Sequence, residues 1–187
     1  MMKRPDCFLD SVRRNFDWLI EACGMHCGPE ERTVVEYRSE HVVLKLVYDE
    51  RNSRQVNAFV SCPQITRVPL ELFLILSAYG YEGADEIGNL RATTPEELER
   101  ACSRLAELIR EYALRILRGD RDEILFVSTF VKWRSVKYAW EGNNTKSILA
   151  AYPGMISSPY FDRVKATLSA EDIAILEKVR RICEDAK

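Results

Sequence analysis

Between residues 32 and 62 the chain changes its hydrophobic period, and that change restricts the fold more than any other feature. Runs over residues 33–38, 41–48 and 54–61 are rich in β-branched and aromatic side chains and alternate with period 2. The breaks between them, Ser39-Glu40 and residues 49–53, are short enough only for hairpins. An antiparallel meander follows. With turns centred on those breaks, Val35, Tyr37, Val42, Leu44, Leu46 and Phe59 share one face. Val34, Val43, Val47, Val56, Ala58 and Val60 line the other, diluted by Glu36, Lys45 and Arg38. The first face is core, and the second is expected to be partly covered. Three strands alone are marginal, so helices have to pack on them.

The flanking segments supply helical periodicity. Phe8, Val12, Phe16, Leu19, Ile20 and Cys23 recur at helical spacing, with Pro5 near the first turn and Gly24 suited to a left-handed end. Residues 26–29 read as a loop. Residues 69–79 are apolar almost all round and end at Gly80, which predicts a buried helix, although a strand also fits so short a run. A loop is expected over 80–91. Thr94-Pro95-Glu96-Glu97 combines an N-cap, a first-turn proline and a capping-box glutamate. The helix it opens carries Leu98, Cys102, Leu105, Leu108, Ile109, Tyr112 and Ile116, and Gly119 closes it. Asp120 and Glu123 cap the next, with Leu125, Phe126, Phe130, Trp133 and Trp140 as apolar positions and Gly142-Asn143-Asn144 as its break. A short helix to Tyr152, a loop over 153–159 and a last helix opened by the capping pattern at Ser169 to Asp172 complete the chain.

Strands followed by helices mean an α+β fold: a three-stranded antiparallel meander packed by an N-terminal helix and several C-terminal helices. At 187 residues, one domain is expected over 1–187. Residues 1–92 supply the first helix, the meander and the buried helix, and 93–187 a helical part packed on them.

Charge and composition narrow the function classes. Twenty-seven basic against 29 acidic residues give a net charge of -2, which provides no global pull toward nucleic acid or an anionic membrane. The most apolar run, over 72–81, is half the length a membrane span needs. Met1-Met2-Lys3-Arg4-Pro5 starts like a charged leader, but Asp6, Asp10, Arg13 and Arg14 interrupt any apolar stretch, so no export signal is expected. Six scattered cysteines in such a chain read as reduced thiols, and a cytoplasmic location is expected.

The usual catalytic signatures are missing. No strand leads into GxGxxG or GxxxxGK[ST], there is no GxSxG or HExxH, and only two histidines occur. No catalytic residue and no cofactor is expected. The best metal candidate is Cys23-Gly24-Met25-His26-Cys27, three ligand types within five residues. In the expected register His41 and Cys62 stand opposite one another at one end of the second hairpin, while Cys27 enters the first strand at the other. Strands of six residues separate those ends by roughly 20 Å, so no metal is expected. An activated Cys27 is disfavoured too, because sequence neighbours such as His26 rarely face one another as a catalytic pair does.

Residues 132–140, from Lys132 to Trp140, mix cations with aromatics. Two readings stay open: a core-facing aromatic stripe with snorkelling cations, or an exposed contact built from Trp133, Arg134, Tyr138 and Trp140.

Val34-Val35-Glu36-Tyr37-Arg38-Ser39-Glu40 with residues 43–49 resembles the meander of many small bacterial proteins of unassigned function. Leu117-Arg118-Gly119-Asp120, Ala139-Trp140-Glu141-Gly142-Asn143, Ile148, Tyr152 and Leu168-Ser169-Ala170-Glu171 are similar to that group's helical half. Residues 139–152 also resemble half a tetratricopeptide unit, with Gly142 at its turn. Such small bacterial α+β proteins resemble immunity proteins, which neutralise a partner toxin. The resemblance implies a non-enzymatic, intracellular protein-binding role of immunity or defence type, with a protein partner and no membrane. The alternatives are a small enzyme or metal protein using the loop from Cys23 to Cys27, and a nucleic-acid binder using the face from Lys132 to Trp140.

Overall fold

In the computed structural model, which describes residues 7–186, the meander is the middle of a five-stranded antiparallel sheet. Strands β1 (His26–Glu31), β2 (Val34–Arg38), β3 (Val43–Tyr48), β4 (Val56–Ser61) and β5 (Leu70–Glu71) lie in chain order. The α+β class holds, and two strands join the expected three. β1 replaces the loop expected at 26–29. Gly28 and Pro29 break its alternation, and its register shifts between Cys27 and Glu30. A sheet edge is where a proline and a bulge are tolerated, so the strand forms without a strand-like sequence. β5 takes the start of the expected helix at 69–79, setting Leu70 opposite Val60 and Glu71 opposite Phe59.

The first hairpin has the expected alignment, with Val35 opposite Leu46 and Tyr37 opposite Leu44. The second does not. Leu44 stands opposite Val60, Leu46 opposite Ala58 and Tyr48 opposite Val56, so His41 and Cys62 are out of line by one residue. The cause is local to the loop at 50–54. The Asp49 carboxylate accepts from the Asn52 and Ser53 N–H groups at 3.1 and 3.0 Å, and Arg54 adopts a left-handed φ of 55°. The Asp49 N–H then donates to the Gln55 carbonyl at 2.9 Å, closing the ladder on Val56. A one-residue difference exchanges faces. Val56, Ala58 and Val60 are therefore buried beside Val35, Tyr37, Leu44 and Leu46, and Phe59 lies on the opposite, half-exposed face. That face carries an ion network in which Glu36 pairs with Arg38 and with Lys45.

The chain divides into two compact units, Met1–Ile124 and Leu125–Lys187. In the first, α1 (Cys7–Phe16) and α2 (Trp18–Cys23) replace the single expected helix. They meet at Asp17, whose carboxylate accepts from the Tyr37 hydroxyl at 2.8 Å. Gly24 ends α2 at φ 61°, as expected. The expected role of Pro5 lies outside the described residues. α3 (Leu72–Ala78) follows β5, and α4 (Ala84–Ile87) occupies part of the expected loop at 80–91. α5 (Pro95–Leu108) has the complete expected capping box, Thr94 Oγ accepting from the Glu97 N–H at 3.2 Å. A π-helical turn over Ile109–Ala113 then leads into α6 (Leu114–Leu117), where one uninterrupted helix was expected. α1, α3 and α5 touch the buried face through β2 and β4.

α1 and α5 are clasped at Glu99, which accepts from Arg14 Nη2 at 2.5 Å and Asn15 Nδ2 at 2.9 Å. The Arg14 bond is the main reason the Glu99 carboxyl falls from near 4.5 to about 2. A lowered folded-state pKa adds stability above the unfolded value that disappears as pH falls toward the folded one. Wild type is therefore expected to exceed Glu99→Gln in urea midpoint at pH 6. The gap should close between about pH 4.5 and pH 2. A gap independent of pH would show that the clasp is not electrostatic.

α7 (Arg121–Glu141) starts in the first unit and continues into the second, which also contains α8 (Thr145–Ile156), α9 (Phe161–Lys165) and α10 (Ala170–Asp185). Asp120 caps α7 through the Asp122 and Glu123 N–H groups, and Ser169 caps α10 through the Asp172 N–H at 3.1 Å. α8 runs through Pro153 to Ile156, past its expected end at Tyr152. A proline deletes one helical donor, while the Asn144 side chain fixes the start by accepting from the Ser147 N–H at 3.1 Å. Lys132 Nζ also donates to the Gly154 carbonyl at 3.2 Å, occupying one acceptor in the last turn. Among the described residues no helix is long and apolar enough to cross a membrane.

Candidate functional site

Helical spacing puts Phe126, Phe130, Trp133 and Val136 on one side of α7, and all four are buried. Trp133 is only 1 % exposed, which removes it from any surface site. Trp140, seven residues on and in the last turn, is half-buried, with Lys178 Nζ of α10 6.0 Å from its ring centroid. The tryptophans of residues 132–140 thus belong mostly to the packed side, and a partly exposed surface remains on the other.

That surface is Arg134 and Tyr138, one helical turn apart. Tyr138 is 60 % exposed and is the one aromatic side chain among the described residues that stands largely in solvent. The Arg134 guanidinium lies 5.4 Å from the Tyr138 ring centroid, and its Nη2 donates to the Tyr138 hydroxyl at 3.1 Å. Arg134 Nε is buried without a partner, and no carboxylate among the described residues pairs with this guanidinium. Lys137, between them, is committed elsewhere. Its ammonium donates to Asp172 of α10 at 2.7 Å, a bond that raises its pKa. Arg134, Lys137, Tyr138 and Glu141 enclose a groove of about 220 Å³. An aromatic face carrying an unpaired cation is suited to a partner that presents a carboxylate beside apolar surface.

The loop from Cys23 to Cys27 has a different geometry from the expected one. Cys27 pairs with Tyr37, and Tyr37 with Leu44, which stands opposite Val60. Cys27 is therefore at the same end of the sheet as His41 and Cys62, not the far end, because β1 turns the chain back along β2. No strand length therefore separates Cys27 from His41 and Cys62. What the structure offers instead is the local chemistry. Cys27 Sγ donates to Glu30 Oε1 at 3.3 Å, and Glu30 is held by Arg13 through two bonds. Burial first, then the Glu30 carboxylate, pushes the Cys27 thiol up to about 11, so it stays protonated at neutral pH and is a poor nucleophile. Cys23 is half-buried and raised by burial as well, and His26 is exposed. Among the described residues no group of three His, Cys, Asp or Glu side chains is placed to hold a metal ion.

One cluster escaped the sequence reading. Around the π-helical turn, Tyr112 packs against Tyr79 and Tyr81, with ring centroids 6.3 and 5.6 Å away. Arg104 Nη2 donates to the Tyr81 hydroxyl, and the Tyr79 hydroxyl donates to Glu123. Glu123 is 2 % exposed and is met by Arg115 Nη1 at 2.5 Å. Tyr79-Gly80-Tyr81 was the available sign, with Gly80 allowing the chain to reverse. The π turn that positions Tyr112 has no sequence signature.

No protein-family model matches this chain, and neither a curated protein nor a solved structure does.

Proposed function

We propose that the chain is a non-enzymatic protein-binding protein, of immunity or defence type, whose contact surface is the Tyr138–Arg134 shelf of α7. The observation that carries the reading is the exposure of Tyr138 beside a guanidinium with no carboxylate partner. Tyr and Arg are the residue types that dominate binding energy at interfaces, and a preformed pair loses little side-chain freedom on docking. A protein fits better than a nucleic acid, because Trp133 is buried and offers no ring for base stacking. The immunity-type role rests on the resemblance of the meander and C-terminal helices to small bacterial proteins of that kind.

Affinity capture with the full chain tests the reading. A partner is expected with wild type and with Val68→Ser, a change at an exposed position far in sequence from α7. Tyr138→Ala and Arg134→Ala should each weaken capture by about 2 kcal/mol, some thirtyfold, with unchanged circular dichroism. Equal capture by all four proteins would end the proposal, and so would enrichment of nucleic acid in place of protein.

A further inference from the structure

A separate cavity lies wholly within the first unit. It is a pocket of about 450 Å³ where the start of α1, the turn between β1 and β2, the end of β3 and the first turn of α5 come together. Its floor is apolar and aromatic. Phe8 and Leu98 are buried, and the Phe8 and Tyr48 rings sit 5.8 Å apart at 32°. The Tyr48 hydroxyl proton is committed, because it donates to the Ala92 carbonyl at 2.9 Å.

The rim is polar but largely self-satisfied. Arg32 Nη2 meets Glu50 Oε1 at 2.7 Å, pairing the two charged side chains that line the pocket. Thr93 Oγ1 donates to Glu97, and Thr94 Oγ1 accepts from the Glu97 N–H, so both hydroxyls serve the α5 cap. The half-buried Thr33 side chain has no hydrogen-bond partner among the described residues. A volume in the ordinary range for ligand sites, an aromatic floor, a charge-compensated mouth and one uncommitted hydroxyl define a ligand class. We propose that this pocket binds a small, flat, uncharged and mostly apolar molecule of one to three rings, with a single polar group held by Thr33. An anion would meet Glu50 and a cation Arg32, and each would have to break their ion pair to gain a partner. The site is separate from the α7 shelf and stands or falls independently of it.

The probe is N-phenyl-1-naphthylamine, which is neutral, bicyclic with a third ring attached, and fluoresces in apolar surroundings. Its anionic relative 8-anilinonaphthalene-1-sulfonate is the comparison. Saturable binding of one equivalent of the neutral probe to the full chain is expected, tighter than binding of the sulfonate. Thr33→Trp, which plugs the mouth from the rim, should weaken binding by about tenfold or more. A second reading does not depend on that variant folding. Cys7 lines the pocket and Cys27 is exposed on β1. Saturating neutral probe should slow alkylation of Cys7 severalfold in wild type and leave Cys27 unchanged, as read by mass spectrometry. Absence of saturable binding, tighter binding of the sulfonate, or unprotected Cys7 would each overturn the proposal.

Discussion

Replacing Val60 with aspartate is expected to abolish folding of the first unit, while the same replacement at Phe59 leaves it folded. The two positions are adjacent in β4 but point to opposite faces. Val60 has 0 % exposure, with Leu44 opposite on β3 and Leu70 opposite on β5. An aspartate there places a carboxyl among apolar side chains with nothing to accept from. Burial of such a group without a partner costs several kcal/mol, comparable with the roughly 5–15 kcal/mol that holds a domain together. At Phe59 the neighbours are Lys45 and Glu71, the face is half-exposed, and solvent reaches the new side chain. The loss there is the ring's partial burial, about 1–2 kcal/mol. Circular dichroism and urea unfolding of both variants decide the matter. A folded Val60→Asp with an unfolded Phe59→Asp would mean that the faces are the other way round.

That pair of variants also marks where the sequence stopped being informative. Alternation shows that β2, β3 and β4 are strands, but alternation alone does not say which phase of β4 faces the helices. Val56, Ala58 and Val60 compete with Phe59, and by hydrophobicity Phe59 is the stronger claimant for the core. The choice is made by Asp49 and Arg54. A side-chain carboxylate that fastens Asn52 and Ser53, and one left-handed residue, fix how many residues the loop consumes. Side-chain and backbone chemistry of that kind is local and specific, and periodicity is blind to it. β1 was hidden for a related reason: its Gly28-Pro29 reads as a loop anywhere except at a sheet edge. The caps were legible because their geometry is set within four residues. Thr94 with Glu97 forms both bonds of the expected box, and Ser169 with Asp172 forms one, the Ser169 hydroxyl accepting from the Asp172 N–H while the Asp172 carboxylate takes Lys137.

The candidate site was legible in composition and only partly in placement. Residues 132–140 announced aromatics and cations, and helical phase put Trp133 with Phe126 and Phe130. What phase did not settle was Tyr138 and Arg134, five and one residues from Trp133, on the side that stays open. Their pairing depends on the i, i+4 relation that brings a guanidinium over a ring. The pocket at Phe8, Tyr48 and Leu98 had no sequence signal, because its walls come from segments some 90 residues apart at the extremes.

Trp133→Ala is expected to be among the most destabilising single substitutions in the chain, and Tyr138→Ala among the mildest. Removing a large buried aromatic loses its transfer free energy and leaves a cavity that a packed interior fills poorly, about 3–5 kcal/mol. Trp133 meets that description, being 1 % exposed and one of the largest fully buried side chains. Tyr138 is 60 % exposed, and its hydroxyl contact is to a neighbouring side chain on the same helix. Its truncation should stay within about 0.5 kcal/mol of wild type. Trp140, half-buried with Lys178 over its ring, falls between them. Urea midpoints followed by far-ultraviolet circular dichroism rank the three without relying on tryptophan emission, which two of the variants alter. The order matters for function as well as stability. If Trp133→Ala abolished partner capture it would say nothing about an interface, because the helix carrying the shelf would itself be weakened. Loss of capture in Tyr138→Ala with an unchanged midpoint separates binding from folding. A midpoint shift in Tyr138→Ala as large as that of Trp133→Ala would place the tyrosine in the packed interior and remove the shelf as a contact surface.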